Sequence, residues 1–277
     1  SPEDVFSLQY YLNREQYGDR PLFYGAVYSA PEKLTVQGND CVPEEKEGSP
    51  IWICKEKTEP GEKDQYVVAG YRHRGYKMDE RFMMLFPRMY STKGSHVEAY
   101  KSWANIKGKR IEVDRCGRKE KIVCPTFGEN LRFFFGYQLN FMYWRYFMWN
   151  FSGRQNDIQG HGELDHGNWI TGFDFIDNVM LCDQSHMPDS LKNNKGHNRY
   201  FMLPLLLGIL GIVWQLAGGK KGTQSFWVTF TLFFMTGIAI VMYLNQTPYQ
   251  PRERDYAYAG SFYAFCIWIG LGVLAVA

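Results

Sequence analysis

Residues 200–219 read YFMLPLLLGILGIVWQLAGG, residues 222–251 read GTQSFWVTFTLFFMTGIAIVMYLNQTPYQP, and residues 256–277 read YAYAGSFYAFCIWIGLGVLAVA. None of the three runs contains Asp, Glu, Lys or Arg; Lys220 and Lys221 separate the first two, and Arg252-Glu253-Arg254-Asp255 separates the second from the third. A helix needs about 20 apolar residues to cross roughly 30 Å of hydrocarbon. The runs therefore predict three transmembrane helices, at about 200–217, 225–244 and 260–277. The mean hydropathy of −0.36 hides them. It averages them with a polar part, because all but four of the 31 Lys and Arg and all but two of the 29 Asp and Glu lie in residues 1–199.

That polar part is formally neutral, as a water-exposed domain should be, and the whole chain carries +2. A nucleic-acid partner would show as a one-sided basic excess, so no such partner is expected. The chain opens on Ser-Pro-Glu-Asp and closes inside an apolar run, which predicts a piece of something longer. Its six cysteines (Cys41, Cys54, Cys116, Cys124, Cys182 and Cys266) show neither CxxC pairing nor zinc spacing. Disulfides and free thiols both remain open, and Cys266 reads as a small buried side chain.

Upstream, Ser1-Pro2-Glu3-Asp4 resembles a helix start. The helix would run to Glu15, bury Val5, Leu8, Tyr11 and Leu12, and break at Tyr17-Gly18-Asp19. Residues 21–27 read as a buried strand and 43–50 as a charged loop. Residues 51–54 and 65–72 read as strands joined by a turn at 59–64. Residues 97–104 read as a short helix. Residues 109–115 and 118–124 read as a hairpin turning at Cys116-Gly117.

From Thr126 the pattern changes. A capping box, Thr126-Phe-Gly-Glu129, opens a long aromatic helix reaching Phe151, with Asn140 and Arg145 among apolar neighbours. Aromatic helices with few charges lie at lipid headgroup level; the other open reading is a core helix of the polar domain. Arg145 reads as a stacked or snorkelling structural cation. Residues 152–189 are irregular but carry aromatics, which predicts an ordered, docked loop.

The two lysines of the 218–222 turn mark a cytoplasmic side. Residues 1–199 and the 248–258 loop then share the opposite side. Four consecutive charges at the mouth of a span are costly unless paired or used. In extended backbone Arg252 and Arg254 would point one way and Glu253 and Asp255 the other. Two guanidinium groups suit a phosphate and two acids suit a sugar or acceptor hydroxyl. A solvated cluster that merely fixes topology is the competing reading. A second group, His161-Gly-Glu163-Leu-Asp165-His166 after Asp157, matches no metal motif. Hydrogen bonding to an acceptor or sugar by Asp157, Glu163 and Asp165, or plain loop packing, is expected instead. Asn150 and Asn245 head sequence patterns for glycosylation.

Several long runs carry a resemblance. They are 11–19 (YLNREQYGD), 125–135 (PTFGENLRFFF), 143–160 (YWRYFMWNFSGRQNDIQG), 167–170 (GNWI) and 247–263 (TPYQPRERDYAYAGSFY). They resemble the large multi-span proteins of Bacteroidetes-type bacteria, formerly of unknown function and grouped with protein O-mannosyltransferase-like C-type glycosyltransferases. The resemblance implies a fragment of a polytopic inner-membrane enzyme with residues 1–199 in the periplasm. Its donor would be a polyprenyl-phosphate sugar and its acceptor a protein or other hydroxyl, with no metal and no cofactor. The catalytic base of such enzymes follows a first span, so it would precede Ser1. Arg252 and Arg254 are then candidates for the donor phosphate, and Glu253, Asp255, Asp157, Glu163 and Asp165 for sugar or acceptor. A non-enzymatic envelope scaffold and a lipid or solute transporter are the alternatives. The expected architecture is an α+β extracytoplasmic domain (1–125), an aromatic amphipathic helix with a polar loop (126–199), and three transmembrane α-helices (200–277).

Overall fold

The computed structural model describes residues 5–12, 20–37, 40–57, 61, 63, 65–183 and 186–277. The expected helix cap at 1–4, the break at 17–19 and most of the 59–64 turn lie outside the described residues. The chain is mixed α and β and divides into two compact units, residues 1–92 with 107–127, and residues 93–106 with 128–277.

Among the described residues the first unit holds α1 (Val5–Leu12) and the strands β1 (Tyr24–Ala26), β2 (Leu34–Gln37), β3 (Asp40–Pro43), β4 (Glu45–Cys54), β5 (Tyr66–Tyr76), β6 (Met83–Leu85), β7 (Lys109–Arg115) and β8 (Arg118–Cys124). They form separate two-stranded antiparallel sheets, β1 with β6, β2 with β3, β4 with β5 and β7 with β8. The β7–β8 hairpin turns where the sequence predicts. Arg115 faces Arg118, and Cys116 and Gly117 take φ values of 57° and 86°, the left-handed pair a two-residue turn requires. Val27, Phe82 and Val113 form the small core, with Ile111 and Ile122 against it.

Two expectations fail here. The charged segment 45–50 is strand rather than loop, because β5 offers a partner long enough to pair it. A register shift between Glu47 and Pro50 takes up Gly48, and Pro50 itself faces Tyr71. In α1, Val5, Leu8, Tyr11 and Leu12 are exposed instead of buried. The helix docks instead through Phe6, which stacks on Trp52 at 5.4 Å and meets Tyr66 edge-on at 5.2 Å.

Cys41 and Cys116 form a disulfide, with Cα atoms 6.4 Å apart and a sequence separation of 75. A bond that closes so long a loop removes much freedom from the unfolded chain. Replacing both cysteines with serine should lower the stability of this unit by about 2–4 kcal/mol. A thermal melt of the variant that overlays the oxidised wild type would remove the bond from the stability of the unit.

The second unit is built on a continuous helix. The α-helix α2 (Gly94–Ala104) packs against it; α3 (Phe127–Phe133) passes into eleven residues of π-helix, Phe134–Trp144, and then into α4 (Arg145–Phe151). The backbone N–H of Arg145 donates to the Asn140 carbonyl, five residues back. Beyond it lie β9 (Gly153–Arg154), α5 (Asp174–Met180), α6 (Asp189–Lys192) and β10 (Asn198–Arg199), then α7 (Leu203–Ala217), α8 (Gly219–Thr236), α9 (Ile238–Leu244) and α10 (Ala259–Val276). The aromatic helix packs against the apolar helices: Phe147, Met148 and Phe151 join Leu205, Phe265 and Trp268 in one cluster. Phe147 and Phe151 meet Phe265 at 4.8 and 4.6 Å, a spacing at which aromatic pairs attract beyond their buried area.

Among the described residues two helices, Gly219–Leu244 and Asp255–Val276, are long and apolar enough to cross a membrane. A core helix of a water-soluble protein passes the same test when mostly buried, but here only 17% and 28% of the two apolar windows are buried. The third expected span is not established. Its helix, Leu203–Ala217, has 15 residues, about 22 Å at 1.5 Å per residue, against roughly 30 Å of hydrocarbon. Phe201 and Met202 take φ of 52° and 57°, so the helix cannot start earlier. At the other end Gly219, at φ +67°, turns the chain at once into α8. Lys220 and Lys221 accordingly sit in the first turn of α8 rather than in a loop.

Candidate functional site

Within the second unit the 153–168 loop and the 248–255 loop are sewn together over the aromatic helix. Gln159 Nε2 donates to the Gln250 carbonyl at 2.7 Å, and His161 meets Tyr249 edge-on at 5.1 Å. At the centre is Arg145, whose side chain is 3% exposed. Its Nη2 pairs with Glu253 Oε2 at 2.8 Å, its Nη1 donates to the Gly167 carbonyl at 2.9 Å, and its Nε donates to the Phe141 carbonyl at 3.1 Å. The guanidinium also lies 4.0 Å from the Phe141 ring centroid and 4.7 and 4.8 Å from those of Tyr146 and Trp149. The stacked, structural role that the sequence suggests for Arg145 is what the fold uses.

Glu253 is fully engaged. Besides Arg145 it accepts from the Tyr146 hydroxyl and from the Gly160 N–H at 3.2 Å. The Tyr146 hydroxyl in turn takes the Arg254 N–H at 3.4 Å. Burial is the main reason the Tyr146 phenol titrates well above its ordinary value, so it stays a hydrogen-bond donor.

The four-charge segment is not extended. It bends at 251–252 and enters a short 3-10 helix, Asp255–Tyr258, so the strict alternation of an extended strand does not apply to it. The 107- and 108-residue contacts to Tyr146 and Arg145 override the local pattern. Arg252 is exposed, 5.3 Å from the Tyr256 ring centroid. Arg254 is partly buried, and its Nε is buried with no hydrogen-bond partner among the described residues. Asp255 is half-buried at the start of the 3-10 helix.

Arg154 is a residue that the sequence reading left without a role. It lies 3.9 Å from the Trp149 ring centroid, and its Nε donates to the Asn156 carbonyl at 2.9 Å. Its guanidinium has no ion-pair partner among the described residues. Burial lowers its pKa, opposed by the carboxylates of Asp157, Asp255 and Glu253. Arg154 stands on the 153–168 loop, which Gln159 joins to the 248–255 loop through the Gln250 carbonyl. Its place in the polar run 154–157 was the available signal.

The remaining predicted residues lie further out on the same loops. Asp157 is exposed and accepts from Asn194 Nδ2 at 2.7 Å. The Glu163 carboxylate accepts from the backbone N–H of His161. Burial alone would raise Glu163, yet that hydrogen bond and the two nearby histidines bring it below its ordinary value. Asp165 pairs with His166 Nδ1 at 2.7 Å and is lowered mainly by that bond. Asn156 ties the loop shut, accepting from the Gly167 N–H at 2.8 Å and donating to the Asp165 carbonyl at 2.8 Å. Asn245 is fully buried, which leaves its glycosylation pattern unused.

A domain-family model described as a family of unknown function (DUF8416) matches residues 18–135. The match stops before both loops of the site and carries no link to glycosyltransferases. No curated protein and no solved structure matches the chain.

Proposed function

We propose that the paired loops bind the phosphate of a lipid-linked sugar, and that the chain is part of a membrane glycosyltransferase working on the extracytoplasmic side. The acceptor would be a protein or other hydroxyl and the donor a polyprenyl-phosphate sugar. The observation that carries this reading is the buried Nε of Arg254, which has no hydrogen-bond partner among the described residues, on a loop that Gln159 and Gln250 join to the loop carrying Arg154. Buried donors without partners are costly, and a phosphate oxygen would satisfy them with charge-assisted hydrogen bonds. The exposed apolar helices suit a lipid-borne donor. The Cys41–Cys116 disulfide suits an oxidising compartment such as the periplasm, which is the side that the resemblance implies.

The roles then divide. Arg254 and Arg154 hold the phosphate, and Arg252 adds charge from the rim. Glu253 is taken up by Arg145, Tyr146 and Gly160, so the sugar or acceptor contacts fall to Asp255, Asp157, Glu163 and Asp165. A base outside this chain removes the acceptor proton as the hydroxyl oxygen attacks the anomeric carbon. The bond from that carbon to the phosphate oxygen breaks, and the arginines stabilise the leaving phosphate.

One observation favours a second reading, a non-enzymatic envelope scaffold: the only acid of the knot tied to Arg145 among the described residues is saturated by protein contacts. The full-length protein separates the two. Arg154→Ala with Arg254→Ala should weaken binding of polyprenyl phosphate by about a hundredfold or more, since each charged hydrogen bond contributes about 1.5–3 kcal/mol. Sugar transfer from the polyprenyl-phosphate donor should fall with it. Binding and transfer equal to wild type would remove both arginines from the mechanism.

A further inference from the structure

Where α7 ends and α8 begins, a groove of about 390 Å³ is lined in part by Trp214, Ala217, Gly218, Gly222 and, from α10, Leu271. It follows from the glycine-rich turn. Gly218, Gly219 and Gly222 carry no side chain to fill the space between the two helices, and a Cβ on Gly222 would collide with the Gln215 carbonyl. The polar groups of the wall are spent on one another. Trp268 Nε1 donates to Gln215 Oε1 at 2.8 Å, Gln215 Nε2 to Ser225 Oγ at 3.0 Å, and Ser225 Oγ to the Gly222 carbonyl at 2.9 Å. What remains for a ligand is apolar contact, from Trp214, Ala217 and Leu271.

The rim is charged. Lys220 and Lys221 stand in the chain between the two lining glycines, are exposed, and have no ion-pair partner among the described residues. The acids of residues 200–277 are Glu253 and Asp255, which lie beyond the far end of Gly219–Leu244. That stretch is 26 residues long, about 39 Å at 1.5 Å per residue. This end of the apolar helices thus carries two cations and none of the balancing carboxylates.

We infer that the groove seats an acyl chain of an anionic diacyl phospholipid of the bilayer, with Lys220 and Lys221 at its phosphate. An apolar trough with a cationic rim complements an amphiphile of the opposite charge. Lysine serves phosphate as a point charge on a flexible stem, and cations beside an anionic leaflet are attracted to it. A zwitterionic lipid has the same chains but balances its own phosphate, so the charge selects the anionic one. The inference rests on the membrane-crossing part of the function proposed above and not on phosphate at Arg154 and Arg254.

The test reconstitutes the full-length protein in phosphatidylcholine vesicles. A minor share of the lipid is either phosphatidylglycerol or phosphatidylcholine brominated on its acyl chains, and bromine quenches tryptophan on contact. Brominated phosphatidylglycerol should be preferred about thirtyfold, since each cation near a charged bilayer contributes roughly fivefold. Trp214→Phe should remove the part of the quenching specific to phosphatidylglycerol. Lys220→Gln with Lys221→Gln should bring the preference close to one. Ala217→Phe, which fills the groove and leaves both lysines, should lower it several-fold. All of these side chains are exposed, so thermal melts of the variants should match wild type. Arg154→Ala with Arg254→Ala should leave the preference unchanged, which separates this site from the phosphate site. Equal quenching by the two brominated lipids in protein that has entered the vesicles would overturn this inference alone. A preference untouched by Ala217→Phe would overturn it too, because diffuse surface attraction would then suffice. Release of the lipid by inorganic phosphate would show a free-phosphate site instead. Protein that does not enter vesicles at all would overturn both this inference and the membrane reading beneath it.

Discussion

Replacing Glu253 with alanine should destabilise the second unit by about 3–5 kcal/mol, the usual penalty for stranding one partner of a buried ion pair. Arg145 is 3% exposed and Glu253 17% exposed, and the carboxylate is the charge that balances the guanidinium. Without it the cation keeps the carbonyls of Gly167 and Phe141 and three aromatic faces. None of these carries a full negative charge. The Gly160 N–H and the Tyr146 hydroxyl would also lose their acceptor, so the two loops should separate. Tyr146→Phe removes the donor to Glu253 and the acceptor of the Arg254 N–H but strands no charge, and should cost about 1–3 kcal/mol. Arg145→Met combined with Glu253→Leu should be less harmful than either single change, because a buried pair replaced by apolar groups leaves no charge behind. Thermal melting in detergent reads every one of these variants. A Glu253→Ala melt equal to wild type would show that the knot carries no stability.

Alkali tests the same knot. Burial raises the phenols of Tyr146 and Tyr143, the latter to about 12. A folded pKa above the unfolded value means that the contribution is whole below the unfolded phenol value, about 10, and is lost as pH rises through the folded value. Melting temperature should therefore fall above about pH 10, and Tyr146→Phe should soften that fall.

The second large effect is expected at Gly211. In α7 this glycine lies against the backbone of α10: a Cβ there would collide with the Trp268 carbonyl and come within 2.7 Å of Gly272 N. Gly272 meets the Leu207 carbonyl in the same way, and Gly208 faces the Phe265 ring. Small residues that let two helix backbones touch are a recurrent means of joining helices where water does not drive association. Backbone atoms cannot swing aside as a flexible side chain can, so Gly211→Leu must push the helices apart. The cost should be about 3 kcal/mol or more, the upper part of the overpacking range. It should also break the polar clasp between the helices, in which Trp268 Nε1 donates to Gln215 Oε1 at 2.8 Å and Gln215 Nε2 donates to Ser225 Oγ at 3.0 Å. Gly270→Ala is the control. Among the described residues no atom beyond its own turn of helix lies within 4 Å of its Cβ position, and alanine favours helix, so its melt should match or exceed wild type. Equal melts for Gly211→Leu and Gly270→Ala would contradict the close helix contact.

Local pattern and chain-distant pairing divide this protein between them. The charge-free runs announced the apolar helices, and the capping box at Thr126 announced the helix that continues to Phe151. Cys116-Gly117 announced the β7–β8 turn. These features depend on residues a few positions apart, whose periodicity and backbone preference are written in the chain itself. Sequence alone also brought the 252–255 charges under suspicion and identified Arg145 as a structural cation. It did not reveal that Glu253 belongs to Arg145 and Tyr146, that the 153–168 and 248–255 loops join, or that residues 45–50 pair as strand. Nor did it choose Cys116 as the partner of Cys41, or shorten the first apolar helix to 15 residues. Those outcomes depend on neighbours up to 108 positions away. A carboxylate reads the same in sequence whether it faces solvent or a buried guanidinium, and only packing decides which.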